Sequence, residues 1–181
     1  MVLGEGSAAF VLESLEHAQR RGATIFAEVI ATTSSAVGPK DARDHIRLAT
    51  KNVLGKLMEQ SKSTLSAGKW HLHAAGNGDP KRDISEALGI HDCIGDASPL
   101  PIVAAKSYFG SLGAGSAAVE VVASCLAMLD GELFPTLNQD KPDPRCPIRV
   151  SSEPTDAGSA FIHLAYSPQG QAAGVCIAKF S

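Results

Sequence analysis

A chain of 181 residues with 44% apolar content fits one domain with a substantial buried core. Its formal charge of −3, with Lys and Arg scattered rather than striped, excludes a nucleic-acid footprint. The four cysteines, Cys93, Cys125, Cys146 and Cys176, form no C-x-x-C pair and no zinc spacing with the histidines, so no disulfide framework, metal or cofactor is expected.

The start lacks a basic n-region and an uninterrupted apolar core, so no signal peptide is expected. No apolar run is expected to span a bilayer, and the cysteine usage suits a reduced cytoplasmic setting. Residues 7–12 (Ser-Ala-Ala-Phe-Val-Leu) predict a strand, followed by a short helix through Leu15 and Ala18 that Gly22 ends. Residues 24–31 predict a second strand. Residues 41–59 place Ile46, Val53, Leu54, Leu57 and Met58 on one helical face. Residues 69–74 predict a strand running into a glycine turn, and Asp83 with Glu86 reads as a capping pair opening a helix.

Residues 100–105 predict another short strand. Residues 114–129 are apolar nearly all round, with stripes Val119-Val122-Leu126-Leu129 and Ala118-Val121-Cys125-Met128, which predicts a buried helix. Residues 141–147 form a proline-rich connector. Residues 159–165 and 172–179 predict an antiparallel hairpin. The alternation predicts an α/β fold, a mostly parallel mixed sheet of about five strands with helices on its faces.

Two glycine-punctuated segments carry the functional information. The first reads His73-Ala74-Ala75-Gly76-Asn77-Gly78, then Asp83 and Glu86. The second reads Lys106-Ser107-Tyr108-Phe109-Gly110-Ser111-Leu112-Gly113, then Glu120. Together they resemble the β-ketoacyl-acyl-carrier-protein synthase family of the thiolase-like fold. That family shows Asn-Ala-His-Gly-Thr-Ser-Thr with Asp-x-x-Glu, then Lys-Ser-x-x-Gly-His-x-x-Gly. Asp83, Glu86, Lys106, Ser107, Gly110 and Glu120 match; Ala75 and Ser111 stand where the two histidines would be. Val2-Leu3-Gly4-Glu5-Gly6-Ser7 resembles a stretch near the middle of such enzymes. Residues 1–181 are thus expected to be a single thiolase-like half-domain equivalent to the C-terminal domain, without the N-terminal half that carries the nucleophilic cysteine.

The resemblance implies decarboxylative Claisen condensation in fatty acid or polyketide synthesis. In it, an enolate attacks a cysteine-bound acyl group and donors stabilise charge on a thioester oxygen. Lys106 is then the surviving catalytic position, with Asp83, Glu86 and Glu120 in support. Lys106, Asp83 and Glu86 are expected to form one ion cluster. The gate loop also departs from pattern: Leu164-Ala165-Tyr166-Ser167-Pro168-Gln169-Gly170 stands where the family has Asn-Ser-Phe-Gly-Phe-Gly-Gly, and Pro168 stiffens it. Alanine has no donor, and a serine hydroxyl does not titrate near neutral pH.

His73 shares strand parity with Ala75 but sits about 6.6 Å back, too far to replace its imidazole. His17, His45, His91 and His163 lack motifs and read as surface or packing residues. Cys125 and Cys176 read as small core hydrophobes. Three functions follow from the resemblance: an acyltransferase half that is degenerate and inactive as this fragment, a non-catalytic partner similar to chain-length-factor subunits, or a structural remnant that only dimerises. The implied partners are an N-terminal half, a homo- or heterodimer mate and acyl carrier protein, with neither nucleic acid nor membrane.

Overall fold

The structure, a computed structural model, describes residues 1–38, 44–96, 99–167 and 169–180. The expected helix start at Asp41 and the gate residue Pro168 lie outside them. In chain order the elements are α1 (Leu15–Arg20), β1 (Ala27–Ala36), α2 (His45–Gln60), α3 (Lys62–Ala67), β2 (Trp70–His73) and α4 (Pro80–Ile94). They continue with β3 (Ile102–Val103), α5 (Lys106–Phe109), α6 (Ser116–Asp130), β4 (Glu132–Leu133), β5 (Thr155–Asp156), β6 (Ala160–Tyr166) and β7 (Gln171–Lys179).

Five strands form one mixed sheet in the order β1-β7-β6-β2-β3. β6, β2 and β3 pair in parallel, while β7 runs antiparallel to both β6 and β1. The hairpin expected at the end of the chain is the β6–β7 pair, with Ala160 opposite Ala178 and Tyr166 opposite Ala172. β1 begins later than predicted and extends through Ser34, whose position opposite Ala173 is set by pairing rather than by apolar pattern. The ladder between β4 and β5 and the short α3 carry no strong sequence signal.

α2 buries Ile46, Val53, Leu54 and Leu57 of the predicted face, and Ala49 beside them, while the predicted Met58 is partly buried against the same core. α4 packs beside it so closely that a Cβ on Gly89 would lie 2.6 Å from the Arg47 carbonyl oxygen and 2.8 Å from Thr50 Cβ. Gly89→Ala is therefore expected to lose about 1–3 kcal/mol in urea unfolding, because the two helices must separate. α4 starts three residues before the expected cap. Asp79 is its N-cap, accepting the Lys81 N–H at 3.0 Å, with Pro80 in the first turn.

α6 covers the opposite face of the sheet, but not as its apolar stripes predict. Its buried residues are Ser116, Glu120, Ser124, Ala127 and Met128. Leu126 is 56% exposed, and Val119, Val122 and Leu129 are only half-buried. The polar side chains face inward because the sheet offers them hydrogen-bond partners, leaving an apolar face outward. The stretch Gly113–Asp130 is also long and apolar enough to cross a membrane by length and composition, contrary to expectation. In this fold its Glu120 and Ser124 are bonded to the sheet.

Residues 7–12 form no strand. Phe10, Val11 and Leu12 are all more than half exposed, and residues 7–12 pair with no strand of the described sheet. A strand without a neighbour leaves its backbone groups to water.

Candidate functional site

Strand alternation divides the sheet into an apolar and a polar side. Leu72, Ile162 and Leu164 join the core under α2. His71, His73 and His163, one residue out of phase, face α6 and are buried. His71 Nδ1 lies 2.7 Å from the Ala157 carbonyl oxygen and its Nε2 lies 3.0 Å from Ser124 Oγ. His73 Nδ1 lies 2.7 Å from the same Ser124 Oγ, and its Nε2 accepts the Ala105 N–H at 3.3 Å. Burial pushes the His71 imidazole down to about 4 and holds His73 well below the usual histidine range. Phe161 stacks on His71 at 5.2 Å.

β2 delivers the chain into the glycine turn that carries Ala75. The Glu86 carboxylate, projecting from α4, accepts the Ala75 N–H at 2.7 Å and the Gly76 N–H at 3.0 Å. Asp83, one turn earlier, accepts the Asn77 N–H at 2.8 Å. Burial raises both carboxyls above their ordinary range, opposed by these backbone donors. Burial, with Glu86 alongside, also raises the Tyr166 phenol. Gly76 has φ +45°, and a Cβ there would meet Ala104 Cβ at 2.5 Å, so the turn requires glycine. Asp83 and Glu86 thus clamp backbone rather than join Lys106 in one ion cluster.

Lys106 opens α5 and pairs instead with Glu120 of α6, while its Nζ donates to the Ala75 carbonyl at 2.8 Å. Both side chains are nearly buried, at 8% and 1% exposure. The second Glu120 oxygen accepts from His163 Nε2 at 2.8 Å. His163, expected at the surface or in packing, therefore belongs to the site. Ser111 is reached through Gly110, φ +75°, whose N–H bonds the Lys106 carbonyl. Ser111 exchanges backbone bonds with Val2 and Gly4, and the Met1 amine donates to the Gly78 carbonyl at 2.8 Å. The Ala75 turn, Lys106 and Ser111 are thereby joined by residues 1–4.

A loop that the sequence left unassigned supports α5 from the other side. Thr136 Oγ1 accepts the Ala104 N–H at 3.0 Å, and Ser107 Oγ accepts the Leu137 N–H at 3.1 Å. The Tyr108 hydroxyl donates to the Pro135 carbonyl at 2.7 Å. Of the gate residues, Ser167 and Gly170 close the β6–β7 turn by a 3.2 Å backbone bond, and the Gln169 N–H bonds Ser167 Oγ at 3.3 Å. Gly170 is tied further to Val37, whose N–H donates to its carbonyl. His17 and His91 pair with Glu13 and Asp96 at the surface, and Cys176 is buried in the core as expected.

Residues 27–140 match the family described as Beta-ketoacyl synthase, C-terminal domain. The chain belongs to this family. It is 31% identical over 150 residues to 3-oxoacyl-[acyl-carrier-protein] synthase 2 of Synechocystis sp., an alignment covering 81% of this chain and 36% of that protein. The Staphylococcus aureus synthase 2 is 31% identical over 157 residues, covering 82% and 37%. Among solved structures, the ishigamide ketosynthase/chain length factor superposes with a TM-score of 0.81 at 27% identity, covering 93% of this chain and 42% of that one. A type II polyketide ketosynthase in complex with its acyl-carrier protein gives 0.78 at 25% identity, with the same coverages. The chain thus spans about two fifths of these relatives. The thiolase-like α/β architecture expected of a β-ketoacyl synthase C-terminal domain is the one found, with Lys106 and Glu120 paired at its centre.

Proposed function

We propose that this chain is the second half of a condensing-enzyme-like site and that, alone, it performs no condensation. The observation that carries the proposal is a buried, doubly anchored Lys106 beside a turn whose side chain is Ala75 rather than an imidazole. Condensation needs a thiolate to hold the acyl group and donors to meet the charge developing on a thioester oxygen. Lys106 spends two of its protons on Glu120 and the Ala75 carbonyl, Ala75 contributes no donor, and Ser111 contributes a hydroxyl that does not titrate near neutral pH as an imidazole does. Each missing oxyanion donor raises a barrier by about 3 kcal/mol. The cysteine would come from an N-terminal half, covering the outward apolar face of α6 and the exposed segment 7–12.

A second reading, a non-catalytic partner of an active synthase, is favoured by the same missing imidazoles and by the likeness to a structure titled ketosynthase/chain length factor. In either role the chain works in the cytoplasm, within a homo- or heterodimer that docks acyl carrier protein. Malonyl-thioester decarboxylation by the chain is expected at buffer background. Ala75→His combined with Ser111→His is expected to leave that background unchanged, because the nucleophile is still missing. Product formed by either protein overturns the proposal. Co-purification with a separately expressed synthase subunit, restoring turnover only in the mixture, distinguishes the partner reading.

A further inference from the structure

We infer that His73, Ser124 and His71 are positioning residues, a hydrogen-bonded chain that fixes the backbone from which Lys106 projects and holds only while both imidazoles are neutral. Lys106 as the site's cation rests on the function proposed above; the chain of bonds does not.

Backbone groups of fixed polarity stand at both ends of this chain. The Ala157 carbonyl can only accept, so the proton of His71 must sit on Nδ1. The Ala105 N–H can only donate, so His73 Nε2 must be bare and its proton must sit on Nδ1. His73 Nδ1–H then donates to Ser124 Oγ, and the Ser124 hydroxyl donates to His71 Nε2. Every donor and acceptor in the four bonds is used once, in one direction.

An added proton has no place. On His73 Nε2 it would confront the Ala105 N–H. On His71 Nε2 it would turn the Ser124 hydroxyl away from its acceptor.

The chain links β2, α6, the segment before β6 and the residue preceding Lys106. The mechanical consequence falls at Ala105: its N–H bond to His73 is one anchor of the junction between β3 and α5, next to the Ala104 N–H bond to Thr136. Releasing the His73 bond loosens the backbone on the sheet side of Lys106, leaving the Thr136 bond to Ala104 and the side-chain bonds to Glu120 and Ala75 to hold that residue.

The charged and titratable groups around the chain reinforce neutrality. Lys106 of α5 and His163 of β6 both disfavour a cation at His73, and His163 lies edge-on to it at 5.4 Å. Glu120 of α6 is a nearby carboxylate, and it is engaged by Lys106 and His163. Phe161 and Phe134 cover the two rings. Beyond Ala157 the Lys69–Asp156 pair lies exposed. A fully satisfied polar chain rigidifies what it joins, and a partly satisfied one costs more than an apolar core.

Nitrogen-detected NMR of the chain at pH 7.5 tests the inference directly. Both His71 and His73 are expected as the Nδ1–H form with bare Nε2, whereas free histidine favours the opposite tautomer. Either ring with its proton on Nε2 overturns the inference. Amide exchange of Ser124→Ala tests the positioning role: Ala105 is expected to exchange on the order of tenfold faster, the loss of about one buried bond, while Leu54 in α2 keeps its protection. Unchanged exchange at Ala105, or equal acceleration throughout the chain, overturns the role. If that variant does not fold, the wild-type protein decides by acidification. Ala105 protection is then expected to fall as pH drops toward 4 and below, ahead of Leu54, and simultaneous loss of both counts against the inference. None of these measurements needs an N-terminal half or an acyl substrate, so their failure leaves the domain's proposed role standing.

Discussion

Acidification from pH 7 to pH 4 is expected to remove about 3 kcal/mol of folding stability through His71 alone. Its imidazole is held at about 4 against an ordinary 6.5, and each pKa unit is worth about 1.4 kcal/mol. The sign follows from proton counting. Below 6.5 the unfolded chain takes up a proton that the folded chain refuses, so the stability is whole above 6.5 and drains as pH falls toward 4. His73, held well below the usual histidine range by burial and by His163, His71 and Lys106 nearby, adds in the same direction. Glu86 and Asp83 oppose the trend, because their raised pKa values let the folded state bind protons earlier. A His71→Leu variant separates these contributions. It is expected to be less stable at pH 7 yet to show a flatter pH dependence, recovering about 3 kcal/mol of the wild-type loss when urea unfolding is compared at pH 7 and pH 4. A variant with the wild-type slope would show that His71 is not kept neutral by the fold.

Much of this was legible from residue periodicity. Alternation put His71 and His73 on one side of a strand and Leu72 on the other, and that is the division between polar layer and core. The helical face of α2 and the terminal hairpin followed from spacing alone. The α6 surface did not. Hydrophobicity ranks Leu126 above Ser124, yet Ser124 is buried and Leu126 exposed, because two imidazoles across the sheet give a serine more than water does. His163 was missed for the matching reason: its partner Glu120 lies 43 residues away and no local motif joins them. Asp83 and Glu86 were found by their spacing but misread in role. Asp79-Pro80 supplies the cap, which leaves the two carboxylates free to hold the amides of residues 75–77. The segment 7–12 has strand chemistry without a strand, since β pattern expresses itself only where an edge is offered.

Glu120→Leu is expected to cost about 3–5 kcal/mol, because it leaves a buried ammonium without its counter-charge and the His163 Nε2–H without an acceptor. The loss is specific to the broken partnership. Adding Lys106→Met removes the orphaned charge, and the double variant is expected to regain most of the stability, since a buried ion pair is worth little more than apolar residues of similar volume. Urea unfolding of the two single variants and the double variant closes the cycle. A mild Glu120→Leu, or a double variant as unstable as the single, would show that Lys106 is reached by solvent and needs no counter-charge. The expected result bears on function as well as on stability. A pair that costs desolvation, gives little net stability and could be replaced by methionine and leucine has no folding reason to be there. What Glu120 accomplishes is to hold Lys106 toward the turn that carries Ala75, with the Ala75 carbonyl as its second anchor. On the function proposed above, the chain keeps a buried, anchored Lys106 at its desolvation cost beside a turn that carries Ala75. That combination is intelligible if the cation still has an acyl group to hold, delivered by a partner that supplies the thiolate.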